Sequence, residues 1–227
     1  MKRRVVQIVS LVLFNSYYFS FLKFIPCPVL NCYACPLAIF ACPIGTIQYF
    51  AIISSFPFLT LGLLGIIGSI SGKAVCGWLC PFGFLQDLLY KIRSRKFKIP
   101  EKWGYLKFLV LILLVVALPF FTKDFWFCKL CPAGTIEAGV PLAIFNQAIR
   151  GVVGFFFWLK IAILLLILIL TIYCQRGFCQ LFCPLGAIFS LFNRLSLLKP
   201  KAKGCPIKIC KNPGSFDCIR CLECMKK

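Results

Sequence analysis

The sequence lacks histidine and has only 6 acidic residues among its 227 positions. Without histidine the chain cannot form histidine-ligated haem sites, Rieske clusters, Cys₂His₂ zinc sites or histidine-based acid–base catalysts. Ser-His-Asp and Cys-His enzymes are excluded for the same reason. Charged residues are also scarce, at 14% of the chain against about 25% in soluble domains. A water-soluble globular domain is therefore not expected.

Long apolar runs dominate the chain instead, since 61% of the residues are hydrophobic. A bilayer core of about 30 Å needs roughly 20 apolar residues per helix. Four runs qualify, and they predict helices at about residues 5–25, 50–70, 105–121 and 152–173. The second contains Pro57 and three glycines, which predicts a kinked helix close to a neighbour. The predicted fold class is an all-α integral membrane protein with four transmembrane helices, the first of them an uncleaved helix rather than a signal peptide.

Basic residues are distributed unevenly over the segments that join these runs. Residues 26–49 contain none, residues 71–104 seven, residues 122–151 three and residues 174–227 ten. Because cytoplasmic segments are enriched in lysine and arginine, both termini are predicted to be cytoplasmic in a multi-pass protein of the cell membrane. The position of these basic residues at the cytoplasmic face of the lipid membrane then explains the net charge of +20, and no nucleic-acid partner is expected.

The 16 cysteines are concentrated in motifs that recur along the chain. CGWLCPFGFLQDLLYKI, from Cys76, is similar to CQLFCPLGAIFSLFNRL, from Cys179, at an offset of 103 residues. CPIGTIQ, from Cys42, is similar to CPAGTIE, from Cys131. The chain is therefore predicted to contain two two-helix repeats, each with an outer and an inner cysteine motif. Two such units would bring paired motifs together on each face of the membrane.

The two inner motifs supply four thiolates, from Cys76, Cys80, Cys179 and Cys183. Four soft sulfur ligands suit a [4Fe–4S] cluster or tetrahedral zinc. A bound metal also neutralises thiolates that would be costly in a low-dielectric environment. We expect a [4Fe–4S] cluster here, with buried free thiols or a zinc clip as the alternatives. Cys174 has no matched partner and is expected to be a buried thiol.

The C-terminal segment has the Cys-x₂-Cys-x₂-Cys spacing of a bacterial ferredoxin cluster. Its three cysteines are Cys218, Cys221 and Cys224. The fourth ligand of such a cluster is a cysteine followed by proline, which fits Cys205, with Cys210 as the second choice. A zinc ribbon would need two well-separated cysteine pairs instead. We therefore expect half of a ferredoxin domain that holds one [4Fe–4S] cluster.

The outer segments contain six further cysteines, and two alignments of them compete. The six are Cys27, Cys32, Cys35, Cys42, Cys128 and Cys131. Spacing pairs the Cys-x-x-Cys-Pro motif at Cys32 with the one at Cys128, whereas the similarity of CPIGTIQ to CPAGTIE favours Cys42. The four expected to bind one cluster are Cys32, Cys35, Cys128 and Cys131. Cys42 is a further metal-ligand candidate; a disulfide between the two remaining cysteines, or three disulfides in all, is the alternative in an oxidising compartment.

Three [4Fe–4S] clusters predict an electron relay between a transmembrane domain, residues 1–200, and a cytoplasmic ferredoxin-like segment, residues 201–227. Catalytic residues are not expected, because Asp87, Asp124 and Glu137 are interpreted as solvated or paired acids rather than proton acceptors. A hydrocarbon thickness of about 30 Å is long for one electron-transfer step. Either the cysteine loops lie within the membrane, or a partner or a quinone bridges the gap. A maturation or redox-sensing protein and a metal-transfer protein holding copper or zinc are the rival functions.

The inner motifs and the terminal CIRCLEC resemble those of the NapH-like, polyferredoxin-type membrane proteins. The resemblance extends from Cys27 to Cys224 and is to quinol dehydrogenase membrane subunits in particular. It implies electron transfer between a membrane pool and a partner on one face of the membrane. The implied partners are redox enzyme subunits or a soluble ferredoxin, and a quinone is a further candidate cofactor. The protein would then be an electron-transfer subunit of an oxidoreductase complex rather than a standalone enzyme.

Two features depart from that family's pattern. The family commonly ends in two complete ferredoxin motifs, whereas this chain has the remains of one. The outer segment CPVLNCYACPLAIFACP has no counterpart in its better-known members. Electron carriage is therefore the firmer expectation, and quinol oxidation is the alternative.

Overall fold

The computed structural model of the protein describes residues 3–92, 97, 99–147, 151, 154–193, 195–197 and 218–221. Within them the secondary structure is helical, apart from one isolated bridge between Pro26 and Ala41. The helices are α1 (Arg3–Phe14), α2 (Pro43–Ile52), α3 (Phe58–Ser71), α4 (Ala74–Trp78), α5 (Pro81–Leu89), α6 (Lys102–Thr122), α7 (Trp126–Leu130), α8 (Pro132–Phe145), α9 (Phe155–Tyr173), α10 (Gly177–Leu181) and α11 (Pro184–Phe192). Two of them contain a π-helical stretch, Leu111–Ala117 in α6 and Thr135–Gly139 in α8. The prediction of a helical protein is confirmed.

Two of these helices, α6 and α9, are long and apolar enough to cross a membrane. They coincide with the third and fourth predicted helices, at residues 105–121 and 152–173. Most of their residues are not buried, and apolar side chains such as Ile112, Leu166 and Ile169 are more than half exposed. Large exposed apolar surfaces mark sites that contact lipid or other proteins. The two helices therefore indicate a membrane protein.

The first predicted helix, over residues 5–25, is interrupted at the end of α1. The Phe14 carbonyl accepts hydrogen bonds from Asn31 Nδ2 and from the Ile39 N–H, both at 3.1 Å. In a continuous α-helix this carbonyl would bond to the N–H four residues later. The loop that supplies Asn31 and Ile39 therefore ends α1, and the chain continues as a 3₁₀-helix over Tyr17–Phe24.

The second predicted helix, over residues 50–70, is divided into α2 and α3. Ser54 has a left-handed backbone conformation with φ of 55°. Pro57, which has no N–H to donate, immediately precedes α3. The expected kink is thus a complete break. The two helices have 10 and 14 residues, and each is shorter than the roughly 20 residues that span a bilayer core.

An irregular loop, residues 26–42, joins the 3₁₀-helix to α2, and part of it lies inside the protein. Val29, Leu30 and Asn31 each expose at most 1% of their surface. Hydrogen bonds from the Cys27 N–H to the Ala41 carbonyl and from the Ala41 N–H to the Ile25 carbonyl close the base of the loop. Tyr33 and Leu37, farther along the loop, are 63% and 48% exposed, so only part of the loop is buried.

The main hydrophobic core joins the buried part of this loop to the segments around α4, α5, α10 and α11. Leu30, Ile44 and Phe189 are buried in it, and Phe82 contacts Phe178 edge to face with ring centroids 5.1 Å apart. Buried cysteines from the outer and inner motifs belong to this same core. The fold therefore positions both groups of thiols around one packed interior.

Candidate metal centres

Four cysteines begin helices in the same way, each followed by proline and, three positions on, by glycine. They are Cys42 before α2, Cys80 before α5, Cys131 before α8 and Cys183 before α11. Their φ angles lie between −73° and −68° and their ψ angles between 112° and 124°. Proline suits the first helical position because the N–H it lacks would have no partner there. The motif thus gives the four side chains one local geometry.

The glycine of each motif presents its backbone N–H to the cysteine sulfur. The Gly186 N–H donates to Cys183 Sγ at 3.3 Å. Burial raises the pKa of Cys42, Cys80 and Cys131 above the ordinary value of a thiol, and the N–H groups of Gly45, Gly83 and Gly134, each of which interacts with the sulfur of its own motif, oppose that rise. Hydrogen bonds to the charged form favour a thiolate. Each motif thus supplies one N–H that offsets part of the cost of burying a thiolate, the form of cysteine that binds metals.

The inner set, which we define as Cys76, Cys80, Cys179 and Cys183, is brought together in the structure. All four are buried, and the Cys76 and Cys179 sulfurs influence both Cys80 and Cys183 electrostatically. Burial raises the pKa of Cys76 to about 12. The hydrogen bond between Cys183 and Cys179 lowers the pKa of Cys179 and raises that of Cys183. Because four buried thiolates need compensating charge, the set suits a cationic metal centre.

A fully buried guanidinium, that of Arg176, ties the inner set to α5. Its Nη1 donates to the Cys76 carbonyl at 2.6 Å, and its Nε and Nη2 donate to the two Asp87 oxygens at 2.9 and 2.5 Å. Arg3, at the start of α1, also pairs with Asp87. Burial acts to raise the pKa of Asp87, but hydrogen bonds and charge from Arg176 outweigh it and hold that pKa below its ordinary value. The network fixes α4, the short helix that carries Cys76.

Exchange of Arg176 for methionine is expected to lower the free energy of unfolding by about 3 kcal/mol or more, because it breaks a buried ion pair. It also leaves the Cys76 carbonyl without this donor. Arg4→Met removes an exposed side chain of the same type and is the matched control. Thermal unfolding in detergent compares the two variants; equal midpoints for Arg176→Met and Arg4→Met would contradict the role of the network.

The outer set, which we define as Cys32, Cys42, Cys128 and Cys131, is also brought together. Cys131 is influenced electrostatically by the other three sulfurs. Two glycines leave room for the approach: a Cβ at Gly45 would lie 3.8 Å from Cys128 Sγ, and one at Gly134 would lie 3.3 Å from Cys32 Sγ. The four cysteines line one cavity of about 770 Å³. Thiols distant in sequence therefore meet at a single site.

The remaining outer cysteines lie beside this set. Cys35, which the spacing favoured as a ligand, is buried with Ala38 and Ala138 in a small cluster that Cys32 borders. Cys27 is close enough to Cys42 to be influenced by it electrostatically, and the Val29 N–H interacts with the Cys27 sulfur. All six outer cysteines are free thiols. Cys27, Cys35 and Cys42 are all followed by proline, but only Cys42 is followed three positions later by glycine. This glycine is the sequence signal that distinguishes Cys42 from Cys27 and Cys35.

The acids considered in the sequence analysis have distinct partners. Glu137 accepts a hydrogen bond from the Cys32 N–H at 2.6 Å, and burial raises its pKa to about 7. Asp124 bonds to Lys129 and the Phe125 N–H, and the Lys129 hydrogen bond lowers its pKa. Asp124 therefore pairs within its own segment, whereas Glu137 fixes the backbone of an outer-set cysteine.

The inner and outer sets approach each other at residues 30–32 of the irregular loop. The Leu30 N–H interacts with the sulfur of Cys80 in the inner set, and Leu30 also lines the outer cavity. Cys32 of the outer set follows two residues later. Two residues span at most about 7 Å when extended, compared with about 30 Å for a hydrocarbon core.

Residues 218–221 of the C-terminal segment pack against α4, the helix that carries Cys76. Cys218 and Cys221 are buried. Trp78 Nε1 donates to the Arg220 carbonyl, and Asn193 Nδ2 donates to the Cys218 carbonyl, both at 3.0 Å. Arg220 Nη2 donates to the Asn193 carbonyl at 2.7 Å. The other predicted ligands, Cys205, Cys210 and Cys224, lie outside the described residues.

The donor chemistry fits iron–sulfur clusters. Each set provides four thiols with N–H groups directed at sulfur, and hydrogen bonds of this kind tune cluster potentials. Among the described residues, no three Cys, Asp or Glu side chains are grouped closely enough to hold a single metal ion. A cubane cluster binds its four thiolates through four different irons, so its ligands need not converge on one point.

Comparisons with known proteins agree with this chemistry. A family model described as a 4Fe-4S binding domain matches residues 52–100, 106–140 and 154–203. An uncharacterised protein of Methanocaldococcus jannaschii is 33% identical over 208 residues, which cover 81% of each chain. The regulatory protein NosR of Stutzerimonas stutzeri is 28% identical over 180 residues, 67% of this chain and 23% of NosR.

A further relative is the methylamine utilization ferredoxin-type protein MauN of Methylorubrum extorquens, 24% identical over 154 residues, 68% of this chain and 47% of MauN. The chain thus spans less than half of both named relatives. No solved structure matches.

Proposed function

Because this chain belongs to the family of 4Fe-4S binding domains, we propose that it is a membrane iron–sulfur electron-transfer protein that relays electrons between three cluster sites. The relay is expected to serve a larger redox complex, with this chain as an electron-transfer subunit. MauN is named a ferredoxin-type protein, which supports electron carriage rather than catalysis by the chain's own side chains.

The proposed ligands are the two cysteine sets and the C-terminal cysteines. The inner set would hold one [4Fe–4S] cluster and the outer set a second. A third would be held by Cys218, Cys221, Cys224 and Cys205. When bound, such clusters exchange single electrons at potentials that their surroundings set. The chain's contribution is to bury the thiolates, to donate N–H groups to sulfur and to exclude water from the sites.

The observation that supports a relay most strongly is the position of Leu30. Its N–H interacts with Cys80 of the inner set, and Cys32 of the outer set is two residues away. The buried residues 29–31 of the loop therefore support the first of the two alternatives, in which cysteine loops lie within the membrane. On the other side of the inner set, the Trp78–Arg220 bond supports direct contact with the C-terminal site.

The proposed membrane arrangement has four crossing segments within a transmembrane domain of residues 1–200, with loops on both faces, and residues 201–227 in the cytoplasm. α6 and α9 would each cross alone, while α1 and α3 would cross together with the chain that continues them. The distribution of basic residues supports cytoplasmic termini. The four helices that begin at Cys-Pro-x-Gly motifs support an origin by duplication. A redox enzyme subunit or a soluble ferredoxin would exchange electrons at the cytoplasmic face.

Quinol oxidation is a second candidate function, and the outer cavity favours it. The cavity is lined by aromatic side chains beside the outer set, including Phe24, Tyr33, Tyr49, Phe50 and Phe125. Binding sites for small molecules are largely apolar clefts of about 300–1,000 Å³, and this one has about 770 Å³. A planar apolar redox molecule would fit such a surface.

The relay is tested in liposomes that contain the purified protein and enclose ferricyanide, with dithionite added outside. We expect the enclosed ferricyanide to be bleached at a rate that depends on the protein, and we expect Cys183→Ser to abolish this rate. Cys174→Ser is the matched control, since Cys174 is buried but belongs to neither set. A rate equal to that of protein-free liposomes would exclude a transmembrane relay.

A further inference from the structure

A polar residue recurs six positions after the cysteine in three of the four Cys-Pro-x-Gly motifs. These residues are Gln48 in α2, Gln86 in α5 and Glu137 in α8, with Phe189 at the fourth position. Gln48 and Gln86 have no exposed surface. Because the four helices start with the same backbone angles, the side chains at this position leave their helices in corresponding directions.

In two motifs the structure shows what this residue contacts. Gln86, which follows Cys80, donates from Nε2 to Cys179 Sγ at 3.2 Å. Glu137, which follows Cys131, accepts a hydrogen bond from the Cys32 N–H. In both cases the side chain reaches across its set to a cysteine from the opposite half. The position six residues after the motif cysteine is therefore directed at the metal centre.

Gln48 is the exception, because its partner is missing. Among the described residues, neither its Nε2 nor its Oε1 has a hydrogen-bond partner, although the side chain is fully buried. A buried amide without partners is costly. Gly45 lies one helical turn earlier, and a Cβ there would be 3.8 Å from Cys128 Sγ. Residues three apart on a helix are neighbours, so Gln48 lies one turn along α2 from the position that adjoins Cys128.

We propose that Gln48 is a positioning residue of the outer metal centre, whose Nε2 donates a hydrogen bond to the Cys128 sulfur when a cluster is bound. The inference rests on the proposed function. Each of the three polar residues would then contact a cysteine of the opposite half. Gln86 donates to the Cys179 sulfur, Glu137 accepts from the Cys32 N–H, and Gln48 would donate to the Cys128 sulfur. A donor directed at sulfur stabilises the more negative, reduced form of a cluster and raises its potential.

The test compares Gln48→Met with Gln86→Met in anaerobically purified full-length protein. Methionine is close to glutamine in length but has no N–H to donate. Redox titration followed by EPR gives the midpoint potential of each cluster, and the outer signal is identified as the one lost in Cys131→Ser. We expect Gln48→Met to lower the outer reduced-to-oxidised ratio about tenfold at fixed potential, or about 59 mV for one electron, and to leave the inner potential unchanged. Gln86→Met is expected to lower the midpoint potential of the inner cluster and to leave that of the outer cluster unchanged.

An unchanged outer potential in Gln48→Met, or a shift of the inner potential instead, would overturn the assignment of Gln48. Should Gln48→Met lose the outer cluster entirely, Gln48→Asn, which shortens the reach of the amide, takes its place in the same comparison. Wild-type protein without any cluster signal would refute the proposed function itself. Normal wild-type clusters with no shift in either Gln48 variant would refute only this inference.

Discussion

Cys42→Ser is expected to remove the outer cluster, whereas Cys35→Ser is expected to leave it in place. Cys42 begins α2 with its sulfur bonded by the Gly45 N–H and near the three other sulfurs of the outer set. Cys35 is packed among alanines instead. Serine is a poor ligand for cluster iron compared with a soft thiolate. Iron and sulfide should each fall by about four per protein in Cys42→Ser.

The two variants are matched because each replaces one buried or half-buried thiol of the same loop region. Iron and acid-labile sulfide are measured on protein purified without oxygen, and EPR of the reduced protein identifies which signal is missing. The opposite result, a cluster lost in Cys35→Ser and retained in Cys42→Ser, would show that spacing and not the Cys-Pro-x-Gly motif selects the ligands.

Gly77→Ala is expected to separate the C-terminal segment from the inner set. A Cβ at Gly77 would lie 2.4 Å from the Ile219 carbonyl oxygen, which is a backbone atom and cannot rotate away. The segment must therefore move, and the hydrogen bonds from Trp78 and Asn193 to it are lost. Overpacking of this kind costs about 1–3 kcal/mol. Electron exchange between the C-terminal and inner sites should slow strongly as their separation increases.

Gly62→Ala is the control for this change. An added Cβ at Gly62, inside α3, would meet nothing within 4 Å, and alanine is the better helix former by about 1 kcal/mol. In reduced wild-type protein and in Gly62→Ala, EPR should show magnetic interaction between the inner and C-terminal clusters. Gly77→Ala should show separate, non-interacting signals. Persistent interaction in Gly77→Ala would mean that the contact between Gly77 and residue 219 does not bring the two sites together.

Local patterns in the sequence were sufficient for the helical class, the iron–sulfur family and the two longest helices. The recurrence of Cys-x-x-x-Cys-Pro also pointed to the four cysteines that the structure brings together as the inner set. These features depend on residues close in sequence: apolar runs long enough for a bilayer, and cysteines at fixed spacing before proline. Such signals are visible without knowledge of tertiary contacts.

Other features depend on contacts between distant residues and could not be predicted. α1 ends at Phe14 because Asn31 and Ile39 donate hydrogen bonds to its carbonyl. The residues next to Phe14 in the sequence contain no signal that predicts the end of the helix there. The closeness of the inner and outer sets depends on the path of residues 26–42 through the core. For Cys42 a local signal did exist, the glycine three positions after the cysteine, but spacing alone favoured Cys35.

The central claim is that thiols from distant parts of this chain hold [4Fe–4S] clusters. Its most direct test is a joint analysis of iron, acid-labile sulfide and zinc in protein purified without oxygen, with the visible spectrum recorded before and after dithionite. We expect a brown protein, bleached by dithionite, with about twelve iron and twelve sulfide per chain. A colourless protein that contains zinc, or no metal at all, would contradict it.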